Sequence, residues 1–151
     1  MKTLTAGSTA PDFELPDQYG TATRLGGLLR GGPVVLFFYP AALTVGCTKE
    51  GCHFRDMAAD FAAAGAQRVG ISLDPVEKQQ RFSDAHGFDF PLLSDPDGKV
   101  ARRYGVRRRF LTPVKRTTFV IAPDGVVTAV VNSELNMHQH ADQALEAVRT
   151  L

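Results

Sequence analysis

The chain contains two cysteines, Cys47 and Cys52, which follow closely on an apolar run from Val34 to Tyr39. That run is typical of a buried strand, and the helix after it is expected to begin near Thr44 to Cys47. The nucleophilic form of cysteine is the thiolate, which the N–H groups and positive dipole end of a helix N-terminus stabilise. Gly46 carries no side chain, so a small substrate can approach the backbone closely. These features predict a reactive thiol at Cys47, with the Thr44 hydroxyl within reach of whatever it attacks.

The spacing of the two cysteines constrains any bond between them. In an unbroken helix, positions five apart have Cα atoms about 8 to 9 Å apart and point to different faces. A disulfide requires a Cα separation of about 4.4 to 6.8 Å. A disulfide between Cys47 and Cys52 would therefore require the first turns of the helix to unwind, and oxidation would change the conformation as well as the chemistry.

Two other interpretations of these cysteines stay open at this point. Free cysteine is among the most buried residue types, so the pair is also compatible with two unrelated core residues. Cys47, Cys52 and His53 together suggest a metal site, but zinc normally needs a fourth ligand or an open position, and this spacing is not a usual one.

The surrounding pattern predicts an α/β fold with a central mixed β-sheet, helices on both faces and an N-terminal β-hairpin. Asp74, Pro75 and Glu77 are typical of an N-cap, a first helical residue and a capping box. The expected order is a hairpin at 12–25, the central strand at 34–39, a helix ending near Gly65, a strand at 67–73, a helix ending at Gly87, a short strand at 91–94, a helix at 97–104, a hairpin at 117–131 and a final helix. A single domain spanning 1–151 is expected.

Composition limits the range of functions. A chain of 151 residues buries enough surface to fold without a disulfide. Its formal net charge of +1 is far below that of a typical nucleic-acid-binding protein, so no nucleic-acid partner is expected. We find neither a secretory signal nor an apolar run near the ~20 residues that span a bilayer, which predicts a cytoplasmic protein without a membrane partner.

Several motifs resemble those of the peroxiredoxins. Pro40, Thr44 and Cys47 are similar to the family signature Pro-x-x-x-Thr-x-x-Cys, and a second cysteine at Cys52 resembles the subfamily called peroxiredoxin Q or bacterioferritin comigratory protein. The likeness covers nearly the whole chain, since segments 10–15, 70–72, 91–95 and 116–121 also resemble family motifs in the same order.

The resemblance implies a thioredoxin-like fold and the reduction of hydrogen peroxide and small organic hydroperoxides. Cys47 matches the peroxidatic cysteine, which becomes a sulfenic acid. Cys52 matches the resolving cysteine, which forms an intrachain disulfide that a thioredoxin- or glutaredoxin-like dithiol then reduces. Thr44 matches the threonine that hydrogen-bonds the peroxide, Pro40 the proline that shields the sulfur, and Arg116 the arginine that steadies the thiolate. The resemblance implies no cofactor or metal, and a monomer or weak homodimer.

The chain departs from the family pattern at two places. Val45 stands where a proline is common, and residues 106–115 are shorter than the matching family segment, which bears on the breadth of substrates. Two other functions are considered. A thioredoxin-fold disulfide oxidoreductase would use Cys-x-x-Cys, which is absent here. A peroxide-sensing, redox-switched binding protein would use the same two cysteines with little turnover.

Other charged residues have simpler interpretations. An arginine-rich stretch over 102–116 is expected to be a solvated face, although it has the charge to attract anionic partners. Glu50 and Lys49 are expected to be exposed residues of the first helical turns. None of the four histidines can be assigned as a catalytic base from sequence, although His53 is placed to tune its neighbour Cys52.

Overall fold

A computed structural model describes residues 2–151. The sequence forms seven strands and six helices within that range. In chain order they are β1 (Glu14–Pro16), β2 (Ala22–Arg24), α1 (Leu25–Leu29), β3 (Val34–Phe38), α2 (Val45–Asp56), α3 (Ala58–Ala63), β4 (Gln67–Ser72), α4 (Val76–His86), β5 (Leu92–Ser94), α5 (Lys99–Arg103), β6 (Thr117–Ile121), β7 (Val127–Asn132) and α6 (Met137–Arg149).

The main sheet has five strands in the order β5-β4-β3-β6-β7. β3 lies in the centre, parallel to β4 and antiparallel to β6, and all five of its residues are buried. This confirms the central position predicted from its continuous apolar run. β1 and β2 form a separate antiparallel pair, which is the expected N-terminal hairpin.

Alternate residues of β3 point into two different cores. Val34, Leu36 and Phe38 pack with side chains from α1 and α5, whereas Val35 and Phe37 pack with side chains from α2, α3, α4 and α6. Helices therefore cover both faces of a mixed sheet, as the sequence predicts. No helix within residues 2–151 is long and apolar enough to cross a membrane.

Two local predictions were wrong. The single helix expected to run to Gly65 is two helices, because Met57 leaves the helical region at ψ 18° and the Arg68 guanidinium donates to the Phe54 carbonyl at 2.8 Å near the end of α2. Gly65 still follows the end of α3, in the left-handed conformation that glycine tolerates. The capping box before α4 does not form either, since Pro75 occupies the N-cap position and no side chain caps the helix.

Candidate active site

Cys47 lies in the first turn of α2, where its side chain is only 2% exposed. The Arg116 guanidinium approaches its sulfur with both terminal nitrogens, Nη1 at 3.4 Å and Nη2 at 3.5 Å. Arg116 directly precedes β6, the antiparallel neighbour of β3, and this pairing carries its side chain to the helix that follows β3. The structure thus brings together two of the predicted residues across 69 positions of sequence.

Glu50 is fully buried against the same arginine, which corrects its assignment as an exposed residue. Its Oε1 accepts a hydrogen bond from Arg116 Nη1 at 2.9 Å, while Oε2 has no hydrogen-bond partner. Burial raises the pKa of Glu50 to about 8, and the opposing attraction of Arg116 is too weak to offset it. Glu50 therefore fixes the position of the guanidinium beside the Cys47 sulfur.

A buried histidine lies beside the unpartnered oxygen of Glu50. His140 Nδ1 lies 3.6 Å from the unpartnered Oε2 of Glu50 and 2.8 Å from the Thr118 hydroxyl, which is placed to donate to it. Nε2 lies 2.8 Å from the Ser133 carbonyl, which can only accept, so Nε2 carries the ring proton. Burial lowers the pKa of His140, so the ring is neutral and presents the lone pair of Nδ1 toward Glu50. A proton on Glu50 relieves this contact between two acceptors.

The loop between β3 and α2 carries two more of the predicted residues, Pro40 and Thr44. Pro40 is half-buried, and Thr44 is exposed with its hydroxyl donating to the Ala41 carbonyl at 2.7 Å. Within residues 2–151, no hydrogen bond joins Thr44 to the Cys47 sulfur. Asp74 anchors this loop, because its carboxylate accepts a hydrogen bond from the Ala42 N–H at 2.7 Å. The carboxylate that was predicted to cap α4 therefore binds this loop instead.

Cys52 lies on the same unbroken helix as Cys47, and both thiols are free. The Cα separation expected for five helical positions, about 8 to 9 Å, therefore applies to this pair. The residue after Cys52 links α2 to α6, because His53 Nε2 lies 2.7 Å from Asp142 Oδ1 and the His53 ring stacks on His138 at 4.2 Å.

Anchoring is strongest toward the other end of α2. Phe54 is completely buried, and its ring stacks on that of Phe37 in β3 with centroids 4.2 Å apart. The residues of α2 that precede Phe54 include two glycines, Gly46 and Gly51, and no large apolar side chain is buried among them. Glycine lowers helix stability by about 1 kcal/mol per position relative to alanine. The part of α2 that contains both cysteines is therefore its weaker part.

A shallow groove of about 440 Å³ opens beside Gly46. Apolar side chains at its edge include Val45, 76% exposed, and Leu135, 94% exposed. A Cβ atom on Gly46 would lie 3.2 Å from Arg116 Nη2 and 3.3 Å from Met137 Cε, so glycine here allows close packing against the arginine. The segment 2–151 contains no cluster of three or more His, Cys, Asp or Glu side chains arranged as a metal site.

Sequence reasoning missed three parts of this site. Glu50 lies three residues after Cys47 and four before Phe54, a spacing that places all three on one face of a helix and was available from sequence. His140 and Asp142 belong to a helix far along the chain, and only the packing of α6 against α2 brings them near the cysteines.

The chain is similar to several known proteins. The model of the AhpC/TSA family matches residues 6–130. The crystal structure of peroxidoxin BcpB from Mycobacterium tuberculosis is 58% identical, covers 98% of each chain and superposes with a TM-score of 0.94. Chloroplastic peroxiredoxin Q of Sedum lineare is 42% identical over 149 residues, covering 98% of this chain and 80% of the relative.

A third similar protein is the bacterioferritin comigratory protein of Xanthomonas campestris, whose structures were determined to study its alkyl peroxide reduction. It is 31% identical, with a TM-score of 0.85 over 98% of this chain and 96% of that one. These similarities confirm the predicted thioredoxin-like peroxiredoxin fold. The chain therefore belongs to the AhpC/TSA family and, like its peroxiredoxin Q relatives, is a thiol-dependent peroxidase.

Proposed function

We propose that Cys47 is the peroxidatic cysteine and Cys52 the resolving cysteine of an atypical two-cysteine cycle. The observation that carries the proposal is the pair of guanidinium nitrogens within 3.5 Å of the buried Cys47 sulfur. A fixed positive charge beside a buried sulfur stabilises its thiolate and the negative charge that develops during attack. Within the described chain, the other sulfur, Cys52, has no such neighbour.

In the first step, the Cys47 thiolate attacks one oxygen of the hydroperoxide. The S–O bond forms as the O–O bond breaks, the sulfur is oxidised to sulfenic acid, and the departing alkoxide or hydroxide takes a proton to leave as alcohol or water. Arg116 donates toward the reacting atoms, and its position is held by Glu50. Thr44 would orient the peroxide after its hydroxyl turns from the Ala41 carbonyl, and Pro40 would shield the sulfur from water.

In the second step, the Cys52 thiolate attacks the sulfenic sulfur. The S–S bond forms as the S–O bond breaks, and the departing hydroxide takes a proton to leave as water. Since both cysteines lie on an unbroken α2, the helix must first unwind. Unwinding breaks the contacts of Cys47 with Arg116 and of His53 with Asp142. The unwinding can stop before Phe54, whose ring stacks on Phe37, because both cysteines precede Phe54 in α2.

A dithiol protein of the thioredoxin or glutaredoxin type would then reduce the disulfide by thiol–disulfide exchange. Resolution within one chain requires no second subunit, which supports a monomer or weak dimer, and such reductants fit the predicted cytoplasmic location. The exposed apolar edge formed by Val45 and Leu135 supports the acceptance of organic hydroperoxides besides hydrogen peroxide. The alkyl peroxide reduction studied in the Xanthomonas relative supports the same substrate class.

Single-turnover experiments with two variants test these roles. The Cys47→Ser variant should consume no peroxide, whereas Cys52→Ser should reduce one equivalent and then stop with thioredoxin as the donor. Mass spectrometry of the wild type after one equivalent of peroxide should detect a Cys47–Cys52 disulfide. Peroxidase activity in Cys47→Ser, or the absence of that disulfide, would overturn the assignment. An insulin-reduction assay should show almost no activity, which separates this cycle from a general disulfide oxidoreductase.

A further inference from the structure

A second candidate site lies in the loop that leads into Arg116, which we call the arginine loop and define as residues 107–114. An antiparallel bridge between Arg107 and Val114 closes its base. The Arg108 N–H donates to the Pro113 carbonyl at 2.9 Å, and Arg107 Nη1 donates to the same carbonyl at 2.9 Å. The base of the loop is thus well hydrogen-bonded.

The tip presents two apolar side chains to solvent. Phe110 is 80% exposed and Leu111 is 94% exposed. Leu111 has φ 72°, a left-handed conformation that is rare for a residue with a branched, bulky side chain. Adjacent apolar residues at the end of an exposed turn gain free energy if a partner removes them from water.

Arginine side chains of the loop and of the neighbouring α5 form a cleft. Arg102, Arg107, Arg108 and Arg109 line one cleft of about 730 Å³, and no acidic side chain contributes to its lining. Arg108 pairs with Glu134 at 2.9 Å, whereas the other three have no carboxylate within 4.0 Å in the described part of the chain. Guanidinium groups bind phosphate through paired hydrogen bonds. The cleft therefore has the chemistry to bind several anionic phosphate groups.

We propose that the arginine loop docks the protein on the surface of an anionic lipid bilayer. A bilayer interface offers phosphates and apolar chains within the depth of one side chain, which matches a loop that carries arginines next to an exposed Phe-Leu pair. A free polyphosphate would satisfy the arginines and leave the tip in water. An acidic protein would need an apolar pocket for the tip between its carboxylates.

This docking does not depend on the roles proposed for the two cysteines, and it needs no spanning helix. On sequence alone, the arginines are interpreted as a solvated face and no membrane partner is expected. The exposure of Phe110 and Leu111 changes that interpretation. Docking at this loop would also bring the peroxidase to the lipids from which organic hydroperoxides arise.

Vesicle flotation with the full chain tests the proposal. Wild-type protein should float with vesicles of phosphatidylcholine and phosphatidylglycerol at low ionic strength, and should not float with phosphatidylcholine alone. The double variant Arg102→Gln/Arg109→Gln should lower the partition coefficient about 30-fold, at roughly fivefold per cation. The double variant Phe110→Ser/Leu111→Ser should lower it more than tenfold.

Matched controls use exposed residues elsewhere. Arg30→Gln/Arg81→Gln makes the same charge change at two arginines that lie outside the loop, and Tyr19→Ser removes an aromatic ring that is 64% exposed. Both controls should retain binding to within about threefold. Circular dichroism and hydrogen peroxide turnover should match the wild type for every variant, which shows that the fold is intact.

Three results would overturn the proposal. The first is no flotation with anionic vesicles at low ionic strength. The second is a loss of binding in the control variants as large as in the loop variants. The third is undiminished flotation of Phe110→Ser/Leu111→Ser, which would leave only general electrostatic adsorption. Loop-dependent binding to an acidic reductant without any vesicle binding would assign the loop to a protein partner instead.

Discussion

The buried carboxyl of Glu50 offers the sharpest test of how the site controls charge, through the substitution Glu50→Gln. In the wild type, Arg116 Nη1 donates to Glu50 Oε1 at 2.9 Å. Glutamine has nearly the same shape as glutamate and keeps an oxygen that can accept this hydrogen bond. It also supplies an N–H₂ group toward His140 Nδ1, which lies 3.6 Å from Oε2. The variant therefore removes only the ability of position 50 to ionise.

The effect on stability follows from the raised pKa of Glu50. In the folded protein the Glu50 carboxyl has a pKa of about 8, whereas in the unfolded chain it has its ordinary value of 4.5. Between these two pH values the carboxyl is protonated in the folded state and ionised in the unfolded state. The folded state thus binds more protons than the unfolded state. The contribution of Glu50 to the free energy of unfolding is therefore complete below the unfolded-state pKa and is lost as the pH rises toward the folded-state pKa. The slope is up to about 1.4 kcal/mol per pH unit. Urea unfolding between about pH 5 and pH 9 should show a steeper fall for wild type than for Glu50→Gln.

The effect on activity follows from the charge of Arg116. Below about pH 8 the protonated Glu50 leaves that charge available to the Cys47 thiolate, whereas ionised Glu50 competes for it. At pH 7 the Glu50→Gln variant should reduce peroxide within about threefold of wild type in a single-turnover assay, and it should gain relative to wild type above pH 8. Glu50→Ala, which leaves the guanidinium unsupported, should lose about a hundredfold. A hundredfold loss in Glu50→Gln at pH 7, or an unchanged slope of stability against pH, would refute the reasoning.

Three further substitutions test single contacts. Arg116→Lys should lower the rate of peroxide reduction about 10- to 100-fold in stopped-flow assays, because one ammonium group cannot reproduce two nitrogens near the Cys47 sulfur; an unchanged rate would contradict this. Asp142→Asn should speed disulfide formation about two- to fivefold in quenched-flow mass spectrometry, since it weakens the link of His53 to α6 by the ~0.2 to 1 kcal/mol typical of an exposed pair; slower formation would oppose it. Gly46→Ala should slow peroxide reduction more than it changes the melting temperature, because its Cβ would lie 3.2 Å from an Arg116 nitrogen; equal activity would show that the guanidinium shifts freely.

Patterns within one element could be predicted because local chemistry determines them. The continuous apolar run after Gly32 predicted the central strand, and Gly87, at φ 62°, ends α4 as expected. The helical spacing that follows this strand also placed Cys47 at the start of a helix. Such features depend on residues that are neighbours in sequence, so one chain is sufficient to detect them.

Features that depend on contacts between elements could not be predicted in the same way. Asp74 resembles an N-cap by its position before Pro75, yet its carboxylate accepts from the N–H of Ala42 across the gap between two loops. The break at Met57 accompanies a hydrogen bond from Arg68 on the neighbouring strand to the helix end. In each case a tertiary hydrogen bond outweighed a local preference of about 1 kcal/mol, which is the usual size of a cap.

The construction of α2 reconciles two requirements that the proposed cycle places on one helix. Attack requires Cys47 to be held against Arg116, whereas resolution requires the same turn to open. Gly51 is needed for packing, because a Cβ there would lie 2.6 Å from the Phe88 ring, and as a glycine it also weakens the helix just before Cys52. The Phe54 ring fixes the following turn on β3. The contacts that hold the turns before Phe54 closed are therefore mainly polar ones made by Arg116 and Asp142. The contact with Arg116 is altered directly when the sulfur becomes a sulfenic acid. Oxidation would thus weaken the contact that keeps the reactive turn folded, so that the chemical step itself favours the opening that Cys52 needs.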